Sequence, residues 1–430
     1  MNIAIIGAGF TGIAAAHELR KFGHTITFFE ANSYPGGLAA GFQEKEWEWS
    51  LEHHYHHIFR SDKDIIELVK AMDLEELLFF SPVKTSTRYH GHQFRLDSPM
   101  SLLAAPELSL TAKLRTAAAL AFLKLFPLSQ PLDSMTAEQF IKSTMGKAAW
   151  KMLWEPLFIG KFGKYASTIN AAWFWSRIHV RSSELGYFRG GFLQLAQAMV
   201  KKLETEGSTF KFETPVKTIK TDKKNNLIAI TTTEGKTATF DQVLVTTPAE
   251  IFARMTSQLP TEYRNTITNL KSLAATTLVL ELDTPFFADK TYWLNINEPN
   301  WPFLAVVEHS QFAGTHPYND HTIVYVGKYL EKTDSQYDMN KEELLKLYQP
   351  FLDQLSPHFD KHIIRSFVFK TPFAQPIVEK NHRKQVPSVT TPFPNVYWCS
   401  MQHVYPFDRG TNYAVAFGRQ AANIMMDSSV

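Results

Sequence analysis

The sequence predicts an α/β fold in which a parallel-sheet domain is interleaved with an α+β domain, and three observations lead to it. A strand, a glycine-rich turn and a helix open the chain in immediate succession. Short β-branched strand segments of the same kind return within residues 186–258 and again within 390–430. Between these returns lie two long stretches, 51–185 and 259–389, with helical spacing in the first and mixed strands and helices in the second. A chain of 430 residues is more than one simple core usually holds, so two packed domains are expected.

Asn2 to Ile6 (NIAII) reads as a buried parallel strand. Gly7-Ala8-Gly9-Phe10-Thr11-Gly12 follows as a full GxGxxG turn, then a helix from Ile13 to Phe22 with Gly23 as its stop. A second strand, Thr25 to Phe29, ends on Glu30. Gly7 permits the tight turn, Gly9 lets a pyrophosphate approach the backbone, and Gly12 lets the helix pack closely on the strand. The helix N-terminus attracts the anionic phosphates. Glu30, 23 residues after Gly7, is placed to accept hydrogen bonds from a ribose diol and disfavours a 2′-phosphate. This unit predicts a dinucleotide site without separating NAD from FAD.

The residues that discriminate come next, Ala31-Asn32-Ser33-Tyr34-Pro35-Gly36-Gly37-Leu38-Ala39. Here the chain resembles the FAD-dependent amine oxidase, protoporphyrinogen oxidase and phytoene desaturase superfamily. In that family the acid is followed by a GG(R/L)(A/S) motif whose backbone touches the flavin side of the cofactor. The resemblance implies an FAD-dependent oxidoreductase with a Rossmann-like FAD/NAD(P)-binding domain of the glutathione-reductase type and an α+β substrate domain. It implies Gly7, Gly9, Phe10, Thr11, Gly12, Glu30, Ala31, Gly36, Gly37 and Leu38 as cofactor contacts.

The resemblance continues along the chain. Gly186 to Leu195 is similar to the family's glycine-containing entry to a helix that returns to the cofactor domain. In Thr214 to Ile219 the backbone of Val216 would meet the adenine, and Leu227 to Phe240 fits the associated meander. Asp241 to Pro248, with Thr246 and Pro248, resembles the D-x-V-I-x-x-x-P strand end. Asn395 to Ser400 reads as a strand, and Arg409-Gly410-Thr411-Asn412-Tyr413 opens a helix whose N-terminus would point at the flavin O2 region. The usual Gly-Asp pair is Cys399-Ser400 here, so the contact of that Asp falls to Ser400 or Asp408. The implied FAD-binding domain comprises 1–50, 186–258 and 390–430, and the substrate domain 51–185 and 259–389.

Within the inserts, Asp64 to Phe79 and Ala137 to Phe158 have helical apolar spacing, and Ala274 to Asp283 reads as a strand. Met100 to Leu128 carries only Glu107, Lys113, Arg115 and Lys124 as charges. A helical pair buried in the substrate domain is the preferred reading, and a surface meeting lipid or a greasy substrate is the other.

Glu52 to Phe59 places histidines at 53, 54, 56 and 57. No second cluster has matching metal-ligand spacing, so no metal is expected. The superfamily carries a G-x-H-x-F-like sequence here that lines the flavin front. His57-Ile58-Phe59 matches its second half, with Tyr55 where a glycine is usual. His56 and His57 are the candidates for proton transfer, against the alternative that they fill and hydrogen-bond a buried turn. Tyr55, Trp154, Tyr405 and Arg409 are candidate substrate contacts, and Lys161 to Gly163 and Trp173 to Arg177 candidate cavity wall. Core packing is the equal alternative for the aromatics. Arg409 could hold a carboxylate or phosphate, or pair with Asp408.

Amine oxidases of this superfamily carry a lysine near flavin N5, on the strand that here supplies Thr276 and Thr277. Lys271 lies too early unless the register slips. The expected reaction is therefore dehydrogenation of a C–N or C–C bond by hydride transfer to flavin N5. A weaker resemblance to UDP-galactopyranose mutase, a non-redox flavoenzyme, is the alternative.

The net charge of +2, without long runs of one sign, argues against nucleic acid. The single cysteine, Cys399, excludes an internal disulfide and fits a cytoplasmic location. The N-terminal stretch reads as strand, turn and helix rather than a secretory signal. No window approaches the roughly 20 apolar residues of a membrane span, which leaves peripheral membrane contact. The expected partner is a small organic substrate. Electron acceptor and oligomeric state leave no mark in the sequence.

Overall fold

The computed structural model describes residues 1–96, 98–104, 108–127, 129–182, 184–222 and 227–427. Its first sheet is all-parallel, in the order Thr209–Lys211, Thr25–Phe29, Asn2–Ile6, Gln242–Val245, Val396–Trp398. The unbroken apolar run of the central strand reflects coverage of both faces. Ile3 and Ile5 join one buried cluster, with the helix Phe10–Lys21, while Ala4 and Ile6 join another beneath the meander. That meander is Val216–Asp222, Leu227–Thr232 and Thr237–Phe240, all antiparallel.

The first helix winds from Phe10, three residues before the sequence suggests, so Gly12 lies in its first turn. A Cβ on Gly12 would come within 2.3 Å of the Gly7 carbonyl oxygen, so the turn closes only over a glycine. The C-terminal helix Thr411–Asp427 packs on this one through Gly418, where a Cβ would lie 2.3 Å from the Thr11 carbonyl oxygen.

The second sheet has seven strands, in the order Ile363–Pro376, Ser272–Leu282, Thr322–Leu330, Ala305–Glu308, Trp293–Ile296, Thr85–Tyr89, His92–Arg95. The expected strand from Ala274 lies inside it, flanked on both sides. The first insert is less purely helical than its spacing suggests, because Thr85–Tyr89 and His92–Arg95 complete this sheet. Likewise the helix from Asp64 stops at Ala71, and Phe79 lies in a strand, Leu78–Pro82, paired with Glu184–Phe188. Between 137 and 162 the helix is broken into Ala137–Thr144, Lys147–Ala149, a wide turn at Trp150–Trp154 and Glu155–Phe162.

The preferred reading of Met100 to Leu128 as a buried pair is corrected by the structure, within the limits that 105–107 and 128 lie outside the described residues. The helices Pro99–Ala104 and Leu110–Leu125 form, but the long one turns small residues inward and Leu110, Leu114, Phe122 and Leu125 outward. Among the described residues no helix is long and apolar enough to cross a membrane.

Candidate active site

The two glycine motifs are adjacent in space and form one backbone cradle. Gly9 bridges Gly36 in parallel fashion, and the Gly36 N–H donates to the Ala8 carbonyl at 2.9 Å. A Cβ on Gly37 would lie 3.2 Å from the Gly9 Cα. The Glu30 carboxylate is buried at the mouth of this cradle, accepting the Ala8 N–H at 2.8 Å and the Asn32 N–H at 2.9 Å. The Asn32 side-chain amide donates to it as well, at 2.9 Å, so of the carboxylate's about four lone pairs one is left for a ribose hydroxyl. No side chain caps the helix at Gly9, which leaves its first-turn amides directed at the cradle. These features fit a dinucleotide pyrophosphate and ribose.

Around the cradle, Thr246 fixes the turn, its hydroxyl donating to the Ile6 carbonyl at 2.8 Å. Pro248 precedes the helix Ala249–Met255, and Val216 starts the meander. Ala31 is exposed beside Glu30. The Ser400 hydroxyl donates to Gln402 at 2.6 Å. At the C-terminal helix entry Gly410 precedes the buried Thr411 and Asn412, Asn412 accepts the Ile65 N–H at 3.2 Å, and Tyr413 stacks on Phe407 at 4.5 Å.

A small cleft opens between the two motif regions. Leu38 comes to it from the double-glycine turn and Arg409 from the C-terminal helix entry, joined by His54, Tyr55, His56, Thr277 and Tyr329. His54 is clamped between hydroxyls of Thr277 at 2.7 Å and Thr371 at 2.8 Å. His56 donates from Nδ1 to the His54 carbonyl at 2.6 Å, which leaves Nε2 as the acceptor. Burial pushes the His54 imidazole down to about 3 and that of His56 to about 4, so both are neutral at pH 7. His57 is also pushed down to about 3 by burial, but packs between Phe59 and Trp293 rather than on the cavity. Burial raises the Tyr55 phenol, whereas Tyr329, despite burial, is drawn down by Arg409 and Lys161.

Beside the cavity, Asp408 gathers three cations. Its Oδ2 accepts from Lys161 and from Arg177, each at 3.0 Å, and its Oδ1 from the Arg409 backbone N–H at 3.1 Å. Burial works to raise this carboxyl, but Lys161, Arg177 and Arg409 hold it well below the usual range. The Arg409 guanidinium itself donates to the Tyr329 hydroxyl, and its Nε is buried without a partner.

Two expected substrate contacts stand elsewhere. Trp154 ends the wide turn and meets Phe174 at 4.8 Å in the helical cluster, away from the cavity lining. Tyr405 bonds Asp133 and accepts from Asn170 at 2.9 Å, which ties that cluster together. Lys271 pairs with Glu379 at 2.8 Å, so the register does not slip. Lys328 borders the cavity, but strand alternation turns its ammonium to the opposite face from Gly327 and Tyr329, where it donates to Gln336 at 2.8 Å. Sequence reasoning missed His54 as a lining group, Thr277 and Thr371 as its partners, and Tyr329 as the partner of Arg409. Gly327, a glycine inside a strand, was the available signal: a Cβ there would lie 2.9 Å from the Tyr55 ring.

A family model for flavin-containing amine oxidoreductases matches residues 10–426. The chain belongs to that family. FAD is therefore its cofactor, and the chain is an FAD-dependent oxidoreductase. The mitochondrial protoporphyrinogen oxidase of Nicotiana tabacum is 30% identical over 167 residues, 38% of this chain and 32% of that enzyme. The match thus spans about a third of the relative's length. A solved protein from Exiguobacterium sp. 255-15, assigned as a protoporphyrinogen oxidase, superposes with TM-score 0.79 at 17% identity over 99% of both chains. A reduced UDP-galactopyranose mutase does so with TM-score 0.76 at 15% identity over 99% of this chain and 95% of the other. At such identities these two structures share the fold.

Proposed function

We propose that this oxidoreductase dehydrogenates a C–C or C–N bond of an organic substrate held in the cavity between Leu38 and Arg409. With FAD bound, the chain has its hydride acceptor. What its own residues supply is position. The observation that carries the reading is that both cofactor-binding motifs, through Leu38 and Arg409, border one cavity walled by neutral imidazoles and phenols. Arg409 and the cations around Asp408 favour a substrate with an anionic group near the reacting bond. His56 Nε2 is the available proton acceptor, and the low-lying Tyr329 phenol is the available donor. No lysine head group is turned to the cavity from Thr276, Thr277 or Lys328, which favours a bond other than that of a simple amine.

The test is anaerobic addition of candidate substrates to the purified holoprotein. Bleaching of the oxidised flavin's visible absorption is expected, with a product two hydrogens lighter than the substrate. Turnover that appears only after dithionite reduction, without net redox change, would sink this reading and select the mutase-like one.

A further inference from the structure

The Pro99–Ala104 and Leu110–Leu125 helices present a face whose amphipathicity is inverted. The long helix buries Ala112, Thr116, Ala119 and Leu123, at 0–9% exposure, and turns out Leu110 at 67%, Leu114 at 56%, Phe122 at 49% and Leu125 at 81%. Residues 110, 114, 118, 121, 122 and 125 fall on one side of an α-helix, and the alanines at 118 and 121 are exposed too, so the outer stripe is continuous. At 1.5 Å per residue it runs about 22 Å. Met100 and Leu103 of the shorter helix, which packs on the long one, are exposed as well. Six of the eleven exposed large hydrophobic residues among those described thus lie between 100 and 125. A helix in water would turn Leu and Phe inward and Ala outward. A concentration of this kind marks a contact surface.

The charges say what covers it. Lys113, Arg115 and Lys124 are the only charged residues of the long helix, and all are basic. Their head groups donate to backbone carbonyls, Lys113 to Leu103, Arg115 to Ser143 and Thr144, and Lys124 to His179 and Arg181. No carboxylate neutralises them among the described residues. A second copy docked symmetrically would bring like charges together, whereas anionic headgroups complement them. We propose that this helical hairpin docks on the headgroup–acyl boundary of an anionic phospholipid bilayer. Lys124 holds the end of the helix Ala171–His179, whose Arg177 reaches Asp408, so the lipid contact lies one helix from the cavity.

The experiment is flotation of the holoprotein with vesicles of phosphatidylcholine alone and of phosphatidylcholine with phosphatidylglycerol. Flotation with the anionic vesicles, weakened by salt and at least about tenfold weaker in the double variant Leu114→Asp, Phe122→Asp, is expected. The variant should keep its flavin spectrum and melting temperature, since both side chains are exposed. Wild type that fails to float with either vesicle, or floats as well in the double variant, overturns the proposal. So does a solution dimer that the double variant converts to a monomer.

Discussion

Glu30 fastens two backbone amides with one carboxylate, and so fixes the distance between the glycine turn and the second strand as well as offering itself to a ribose. Glu30→Gln removes the charge and one acceptor site while keeping the shape. Hydrogen bonds to a charged group contribute roughly 1.5–3 kcal/mol, so FAD should bind at least about tenfold more weakly, read from flavin fluorescence on titrating the apoprotein. The histidines teach a different lesson at the same scale. The sequence singled out His56 and His57, yet it is His54 and His56 that line the cavity and His57 that packs behind. Adjacent residues in an irregular turn point in directions no periodicity predicts. Because burial holds the two lining imidazoles at about 3 and about 4, kcat/KM should show no imidazole inflection between about pH 5 and 8. An inflection near the ordinary histidine value, absent in His56→Asn, would contradict the burial of these imidazoles.

The helix Gly191–Thr205 begins against a residue far away in sequence, Glu52, which accepts the Phe192 N–H and the Tyr187 hydroxyl, each at 2.7 Å. Burial pushes the Glu52 carboxyl up to about 7 against the pull of those bonds. An unfolded glutamate ionises near roughly 4.3, so between there and about 7 the native state binds the extra proton. Its contribution is therefore full below the unfolded value, falls as pH rises through this window, and is level above it, for a change on the order of 3 kcal/mol. Glu52→Gln cannot ionise, and thermal melts across pH 5 to 8 should show a flatter dependence than wild type. An unchanged slope would mean that Glu52 is not the group responsible. Elements like the opening strand and helix were legible because local sequence determines them. The helix start at Phe10 was not, since it depends on the contact between Gly12 and Gly7. The strand at Leu78–Pro82 was hidden for the same reason: its partner, Glu184–Phe188, lies a hundred residues on.

Across the whole molecule, the cofactor cradle was readable and the cavity opposite it was not. The cradle is built from contiguous turns, whereas the cavity wall draws Tyr55, Thr277, Tyr329 and Arg409 from four separated stretches. Asp408 is where those stretches are fastened. It joins Lys161 and Arg177 of the first insert, Gln375 of the second at 3.2 Å, and the backbone N–H of Arg409 at the C-terminal helix entry. Asp408→Asn keeps the shape but leaves the two partly buried cations without a counter-charge. Breaking a buried pair costs about 3–5 kcal/mol, and the 39% exposure of the Arg177 side chain brings the expectation to the lower end. For a chain of this size about 3 kcal/mol corresponds to a fall of about 3 °C in melting temperature. The carboxyl is depressed, so its stabilisation is present above the unfolded aspartate value and is lost as pH falls through that value and below. The wild-type advantage over Asp408→Asn should accordingly be full at pH 7 and shrink on acidification. Since the same residue fixes the helix that follows Arg409, FAD retention should fall together with the melting temperature. A variant that melts earlier yet holds FAD as tightly as wild type would show that Asp408 fastens the inserts without positioning the cofactor end.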